Sequence, residues 1–266
     1  MQLVALSALP DTTIAMNTTH PNVSKVPHVT LLFWIIKILA TTLGETGGDA
    51  ASMSMNLGYL VSTGIFAVVF VAAVAAQIKA SRFHPTLYWL TIIASTTVGT
   101  TLADFADRSL GIGYPGGAAL LTVLLLLSLF TWHRTEGSLA VETVSTPRVE
   151  AFYWVTIMFS QTLGTALGDW CADSLQFGYS GSALIFGAVI AAIAALYRFT
   201  GLSRPLLFWA AFIMTRPFGA VVGDFLDKPL DHGGLNLNRY SASLVLLTAI
   251  AILVFGFKHR AAQKAH

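Results

Sequence analysis

Apolar positions run along this chain in long blocks, and the polar positions that interrupt them recur at fixed places. Blocks near 29–49, 57–78, 86–105, 114–133, 151–170, 179–198, 205–225 and 239–257 approach or exceed the roughly 18 residues that cross a bilayer as a helix. The runs "LVSTGIFAVVFVAAVAA" from Leu60 and "SASLVLLTAIAILVFGF" from Ser241 hold no charge at all. The pattern predicts an all-α, polytopic membrane protein of about eight transmembrane helices.

The interruptions are not random. "WIIKILATTLGETGGD" from Trp34, "WLTIIASTTVGTTLAD" from Trp89, "WVTIMFSQTLGTALGD" from Trp154 and "WAAFIMTRPFGAVVGD" from Trp209 align without a gap. Counting each tryptophan as zero, glycine stands at +10 (Gly44, Gly99, Gly164, Gly219) and aspartate at +15 (Asp49, Asp104, Asp169, Asp224). A small residue precedes each aspartate, and glycine follows it nine positions later, with Tyr59, Tyr114 and Tyr179 next in three copies. Each copy continues into a second apolar run, so the repeat is a two-span hairpin, and repeats with an even number of spans are parallel. The tryptophans lie 55, 65 and 55 residues apart, which divides the membrane part into two similar halves, 29–133 and 151–258. A polar linker, 134–150, joins them; 1–28 reads as a soluble tail without a secretory signal, and 259–266 as a basic tail.

Lysine and arginine are concentrated on the tryptophan side: Lys25, Lys79, Arg82, Arg134, Arg148, Arg198, Arg204, Lys258, Arg260 and Lys264, against Arg108, Lys228 and Arg239 on the other. That bias places both termini in the cytoplasm and the tryptophans in the inner interfacial belt. Only 11% of the residues are charged and the net charge is +2, which excludes an electrostatic nucleic-acid binder. A single cysteine, Cys171, excludes an internal disulfide framework and any CxxC site.

Four tandem two-span units, each with its tryptophan, resemble the bacterial membrane-anchored proteins defined by a repeat of unknown function. The resemblance runs from about Trp34 to Lys258. It implies an eight-span protein of the bacterial inner membrane and brings with it no activity and no catalytic residues.

The aspartates lie about 22 Å along their helices from the tryptophans, past the bilayer midplane. Positions +4, +8, +11 and +15 are expected to share one face. That face is Ile38, Thr42, Glu45, Asp49 in the first copy and Ile93, Thr97, Thr100, Asp104 in the second. It is Met158, Thr162, Thr165, Asp169 in the third and Ile213, Pro217, Ala220, Asp224 in the fourth. A stripe of hydroxyls thus leads to a carboxylate in three copies. The competing reading is that each aspartate ends its helix as a hydrated cap. Lys37 and Arg216 are expected to compensate charge, paired with Glu45 or an aspartate, while Asp107, Asp173 and Asp227 read as solvated loop acids and the tryptophans as interfacial anchors.

Carboxylates, hydroxyls and carbonyls are hard-oxygen ligands suited to manganese, magnesium or calcium, and no histidine lies in the interior motifs. The expected metal ligands are Asp49, Asp104, Asp169, Asp224 and Glu45, with Thr42, Thr97, Thr100, Thr162 and Thr165 lining a polar route. No G-x-S-x-G, H-E-x-x-H or phosphate loop is present, so no enzyme is expected. The expectation is a transporter of a small divalent cation, with proton coupling through Glu45 open, no cofactor beyond that cation, the bilayer as partner, and the oligomeric state open. A cation channel with an acidic ring, or a receptor or scaffold without flux, is the alternative.

Overall fold

The computed structural model describes residues 24–263; the first 23 residues of the expected tail and Lys264 lie outside them. Eight α-helices follow one another: α1 (Leu31–Asp49), α2 (Gly58–Lys79), α3 (Pro85–Asp104), α4 (Tyr114–Glu136), α5 (Pro147–Asp169), α6 (Gly178–Phe199), α7 (Arg204–Asp227) and α8 (Arg239–Gly256). Among the described residues there is no strand, only an isolated bridge between Pro27 and Ala261. Local chemistry sets the starts. The Thr30 and Thr146 hydroxyls accept from the amides of Phe33 and Val149, and Asn238 caps α8. Proline stands in the first turn of α3, α4, α5 and α7, where its missing N–H leaves no bond unmade.

Six of the eight helices, α1, α2, α4, α6, α7 and α8, are long and apolar enough to cross a membrane. The other two fall short because they are rich in polar residues: Thr91, Ser95, Thr96, Thr97, Thr100 and Thr101 in α3, and Glu150, Thr156, Ser160, Gln161, Thr162 and Thr165 in α5. All of these are buried. Their position explains the composition. The odd helices α1, α3, α5 and α7 form a closed inner ring in which each packs on the next and α7 returns to α1. The even helices form an outer layer, α2 on α3, α4 on α5, α6 on α7, and α8 closing the circle on α1. An outer helix therefore packs on the following repeat rather than on its own hairpin partner. Some 61% of α1 is buried against 6% of α2, so the apolar surface of the chain is carried mainly by the outer layer (Val68, Leu126, Leu184, Val245).

The repeated glycines are the seats that close the ring. Thr41 sits on Gly219, Thr96 on Gly44, Gln161 on Gly99 and Arg216 on Gly164: the +7 side chain of each repeat fills the +10 gap of the one before it, round the circle. A Cβ at any of the four would stand at or inside 3.0 Å of its neighbour. Gly219→Val is therefore expected to lose about 1–3 kcal/mol through overpacking, seen as a lower unfolding midpoint in detergent. Gly64→Val, on the open face of α2, leaves the midpoint in place.

At the tryptophan end the ring is closed by aromatic side chains. Phe33, Tyr88, Trp89, Tyr153, Trp154, Trp209 and Phe212 pack with Trp132 in one cluster, the Tyr88 and Tyr153 hydroxyls meeting at 2.7 Å. Trp89, Trp154 and Trp209 are buried, and only Trp34 is partly open, so the reading of all four as interfacial anchors is corrected. These helices bury the tryptophans because each is covered by a neighbouring helix of the ring; Trp209 also donates to the Leu139 carbonyl of the linker. The segment before α1 is stitched over the same end: Lys25 pairs with Glu150 at 2.6 Å and donates to the Gln77 and Ile78 carbonyls, while Ser24 donates to Val141.

Candidate functional site

The odd helices bring one polar column together inside the ring. Its line is +7, +11 and +15 rather than the expected +4, +8, +11 and +15. Thr42, Thr97 and Thr162 at +8 are buried, but each hydroxyl donates to the carbonyl four residues earlier in its own helix, at 3.1, 2.9 and 3.0 Å. These hydroxyls thus donate within their own helices and make no hydrogen bond to the residues at the centre of the ring. Of the +7 side chains, Arg216 crosses to the centre of the ring, while Thr41, Thr96 and Gln161 lie in the glycine seats between helices.

At the centre of the column, one side chain from each inner helix meets the others. Arg216 of α7, fully buried, donates from Nη1 to Glu45 Oε2 of α1 at 3.0 Å. Its Nη2 donates to Thr100 Oγ1 of α3 and Thr165 Oγ1 of α5, both at 2.5 Å. Thr100 in turn donates to Glu45 at 3.2 Å, and Thr165 stands 3.5 Å from it. Arg216 thus finds its expected partner. Lys37 does not: its Nζ is buried without a hydrogen-bond acceptor and lies 4.2 Å from the centre of the Phe212 ring. The expected ion pair of Lys37 is replaced by a cation–π contact because Glu45 lies two turns away, held by Arg216.

Beyond this lock lie the four aspartates, all buried. They are not caps: no side-chain cap bond is made by Asp49, Asp104 or Asp169, and the chain runs on from each into a π-helical turn (Ala50–Ser54, Phe105–Ser109, Trp170–Ser174). In the fourth repeat α7 continues to Asp227. The aspartates form two equivalent clasps. Arg108 bridges Asp104 of its own repeat (2.9 Å) and Asp169 of the next (3.2 Å). Lys228 bridges Asp224 of its own repeat (3.0 Å) and Asp49 of the next one round the ring (2.5 Å). Both cations lie four residues after their own aspartate; repeats one and three carry Met53 and Asp173 there.

The second clasp is the larger. Asp227 joins it, paired with Arg239 at 3.0 Å, and the carboxylate oxygens of Asp49, Asp224 and Asp227 come within 4.8 Å of one another. Asp227 and Asp107 are buried, which corrects their reading as solvated loop acids; Asp227 ends α7 beside Arg239, and Asp107 is covered by Gly117 of α4. Asp173 is exposed, as expected, with the Tyr114 hydroxyl 3.4 Å away. Every ligand atom in the Asp49–Asp224–Asp227 group is oxygen, the donor set of a hard divalent ion. The ammonium of Lys228 pairs with two of those carboxylates, Asp49 and Asp224.

The repeat matches found by comparison fall on this architecture. The profile described as "Repeat of Unknown Function (DUF347)" matches residues 32–83, 87–138, 152–202 and 207–261. The chain belongs to the DUF347 family. Each DUF347 copy spans one inner helix, its aspartate and the outer helix that follows, so the family unit supplies one quarter of the ring. No curated protein and no solved structure matches the chain.

Arg108, Lys228, Arg239 and Asp227 were not expected in the site from sequence. Arg108 and Lys228 had a local signal, since a cation four residues after an acid on a helix shares its face. Their reach to the next repeat had none.

Proposed function

We propose that this DUF347 protein is an eight-span transporter of the bacterial inner membrane that moves a small divalent cation, manganese foremost, along the axis of the inner ring. The observation that carries this reading is the column itself: buried carboxylates in two cation-filled clasps lie above a lock built from all four inner helices. Ionisable groups inside a membrane are expensive and face routes or sites rather than lipid. The polar residues of α3 and α5 are buried inside the ring, which supports their crossing as well.

In this reading Arg108 and Lys228 occupy the clasps as tethered cations, and a substrate cation binds by displacing them. The Glu45–Arg216 lock and the aromatic layer beneath it close the axis, which fits alternating access better than a standing pore. The basic collar supports a cytoplasmic position for the aromatic end. Asp49, Asp104, Asp169 and Asp224 are the ligand candidates, with Asp227 added, while Thr100, Thr165 and Glu45 form the next station inward.

Purified protein in proteoliposomes tests this with manganese, magnesium, calcium and zinc, with and without a pH gradient. Saturable, selective flux is expected in the wild type and its loss in Asp104→Asn and Asp169→Asn. Absence of flux for every cation, with folded variants behaving as wild type does, rejects the proposal.

A further inference from the structure

A groove of about 510 Å³ lies outside the ring, at the tryptophan end, over the seam of α1 and α7. Trp34, Ile38 and Phe208 form its floor, Ile193 and Tyr197 of α6 one wall, and Val141 of the linker its end. It follows α1 from Leu31 to Ile38 and α7 from Arg204 to Thr215, about 10–16 Å of helix. The lining is mostly apolar, and Arg204 in it is held by its stack on the Tyr197 ring at 4.2 Å and its Nη1 bond to the Tyr197 carbonyl.

Charge identifies the occupant. At the aspartate end Arg108, Lys228 and Arg239 are all paired with carboxylates. At the tryptophan end, Lys79, Arg82, Arg134, Arg198, Arg204, Lys258 and Arg260 make no ion pair among the described residues. In the groove lining itself Arg204 and Glu142 are the charged residues, and the wider collar makes this end of the molecule basic. An apolar chain carrying a negative head matches this lining and the basic end around it.

We propose that the groove is a binding site for an anionic phospholipid, with an acyl chain against Trp34 and Phe208 and the phosphate on Arg204. The site is not a passive annulus. Its deep end reaches Thr215, whose carbonyl accepts from Thr41 at 3.3 Å, one residue before the Arg216 lock. The inference rests on the membrane placement and not on transport, and its test involves no flux.

Tryptophan fluorescence of the full chain in vesicles reads occupancy, using phosphatidylglycerol or phosphatidylcholine brominated on the acyl chain, with Trp34→Phe isolating the Trp34 signal. Brominated phosphatidylglycerol is expected to quench Trp34 at lower mole fraction than phosphatidylcholine. Arg204→Gln is expected to reduce that preference about fivefold, the effect of one basic side chain beside an anionic surface. Arg204→Lys retains most of it, Glu142→Gln increases it, and Ala194→Phe, which fills the groove, abolishes Trp34 quenching by either lipid. Equal quenching by the two lipids, or unchanged quenching in Ala194→Phe with the fold intact, overturns the proposal; a second copy of the chain in the groove would appear as quenching that falls with protein density.

Discussion

Arg216→Leu is expected to be the most damaging single change in the inner ring, lowering stability by about 3–5 kcal/mol. The guanidinium is fully buried, and its loss leaves the Glu45 carboxylate inside the protein with only the Thr100 and Thr165 hydroxyls around it. Removing one member of a buried pair is costly because the other charge is stranded, whereas removing both is often close to neutral. The double variant Arg216→Leu with Glu45→Leu should therefore recover most of the lost stability while remaining inactive in flux. Unfolding midpoints in a fixed detergent, for both single variants and the double, measure the coupling directly. A single Arg216→Leu variant as stable as wild type would show that the lock holds nothing together.

Lys228→Gln is expected to turn the second clasp into a measurable metal site. With the ammonium gone, Asp49, Asp224 and Asp227 remain buried with only Arg239 among them, and a divalent ion is the natural replacement. Manganese at about 100 times its dissociation constant would then stabilise the variant by about 2.7 kcal/mol, with a much smaller effect on wild type, where the ion competes with Lys228. Asp227→Asn in the same background should reduce the shift. Mild alkali does not substitute for the mutation. Burial works against the Lys228 charge, but Asp224, Asp49 and Asp227 outweigh it and hold its ammonium well above the ordinary lysine value. A group raised in this way contributes stability fully below its unfolded value, near 10.4, and loses it only as pH rises through the folded one. The Lys228 ammonium thus stays charged across the neutral range. Thermal shifts without manganese that drop between about pH 6 and 9 in wild type but not in Lys228→Gln would contradict this.

Much of the architecture was legible because the repeat is ungapped. The tryptophan, glycine and aspartate positions fixed four equivalent hairpins, and the helix ends fall within a few residues of those expected. Glu45 and Arg216 stood out as charges present in one copy each, and they do meet. What one chain could not reveal was the partner of each helix. Periodicity in α3 is the same whether it packs on α2 of the preceding hairpin or on its own α4, and only the former occurs. The one-residue difference between +7 and +8, about 100° of rotation, likewise depends on which side chain finds a glycine on a neighbour: Thr41 does and Thr42 does not, although both read as hydroxyls on an apolar helix. The clasps escaped notice for the same reason. Arg108 looked like a loop cation until α5 brought Asp169 against it.

The axial route is tested most directly by the reactivity of a thiol placed on it. In a Cys171→Ser background, Thr100→Cys puts a sulfur beside Arg216 and Glu45, while Thr63→Cys puts one on the outer helix α2. A small cationic thiol reagent added from the aspartate side should modify position 100 in turnover conditions, and manganese should slow that reaction while leaving position 63 untouched. Modification of position 100 that no divalent cation slows, or a position 100 inert under every condition that supports flux, would remove the ring axis as the path of the ion.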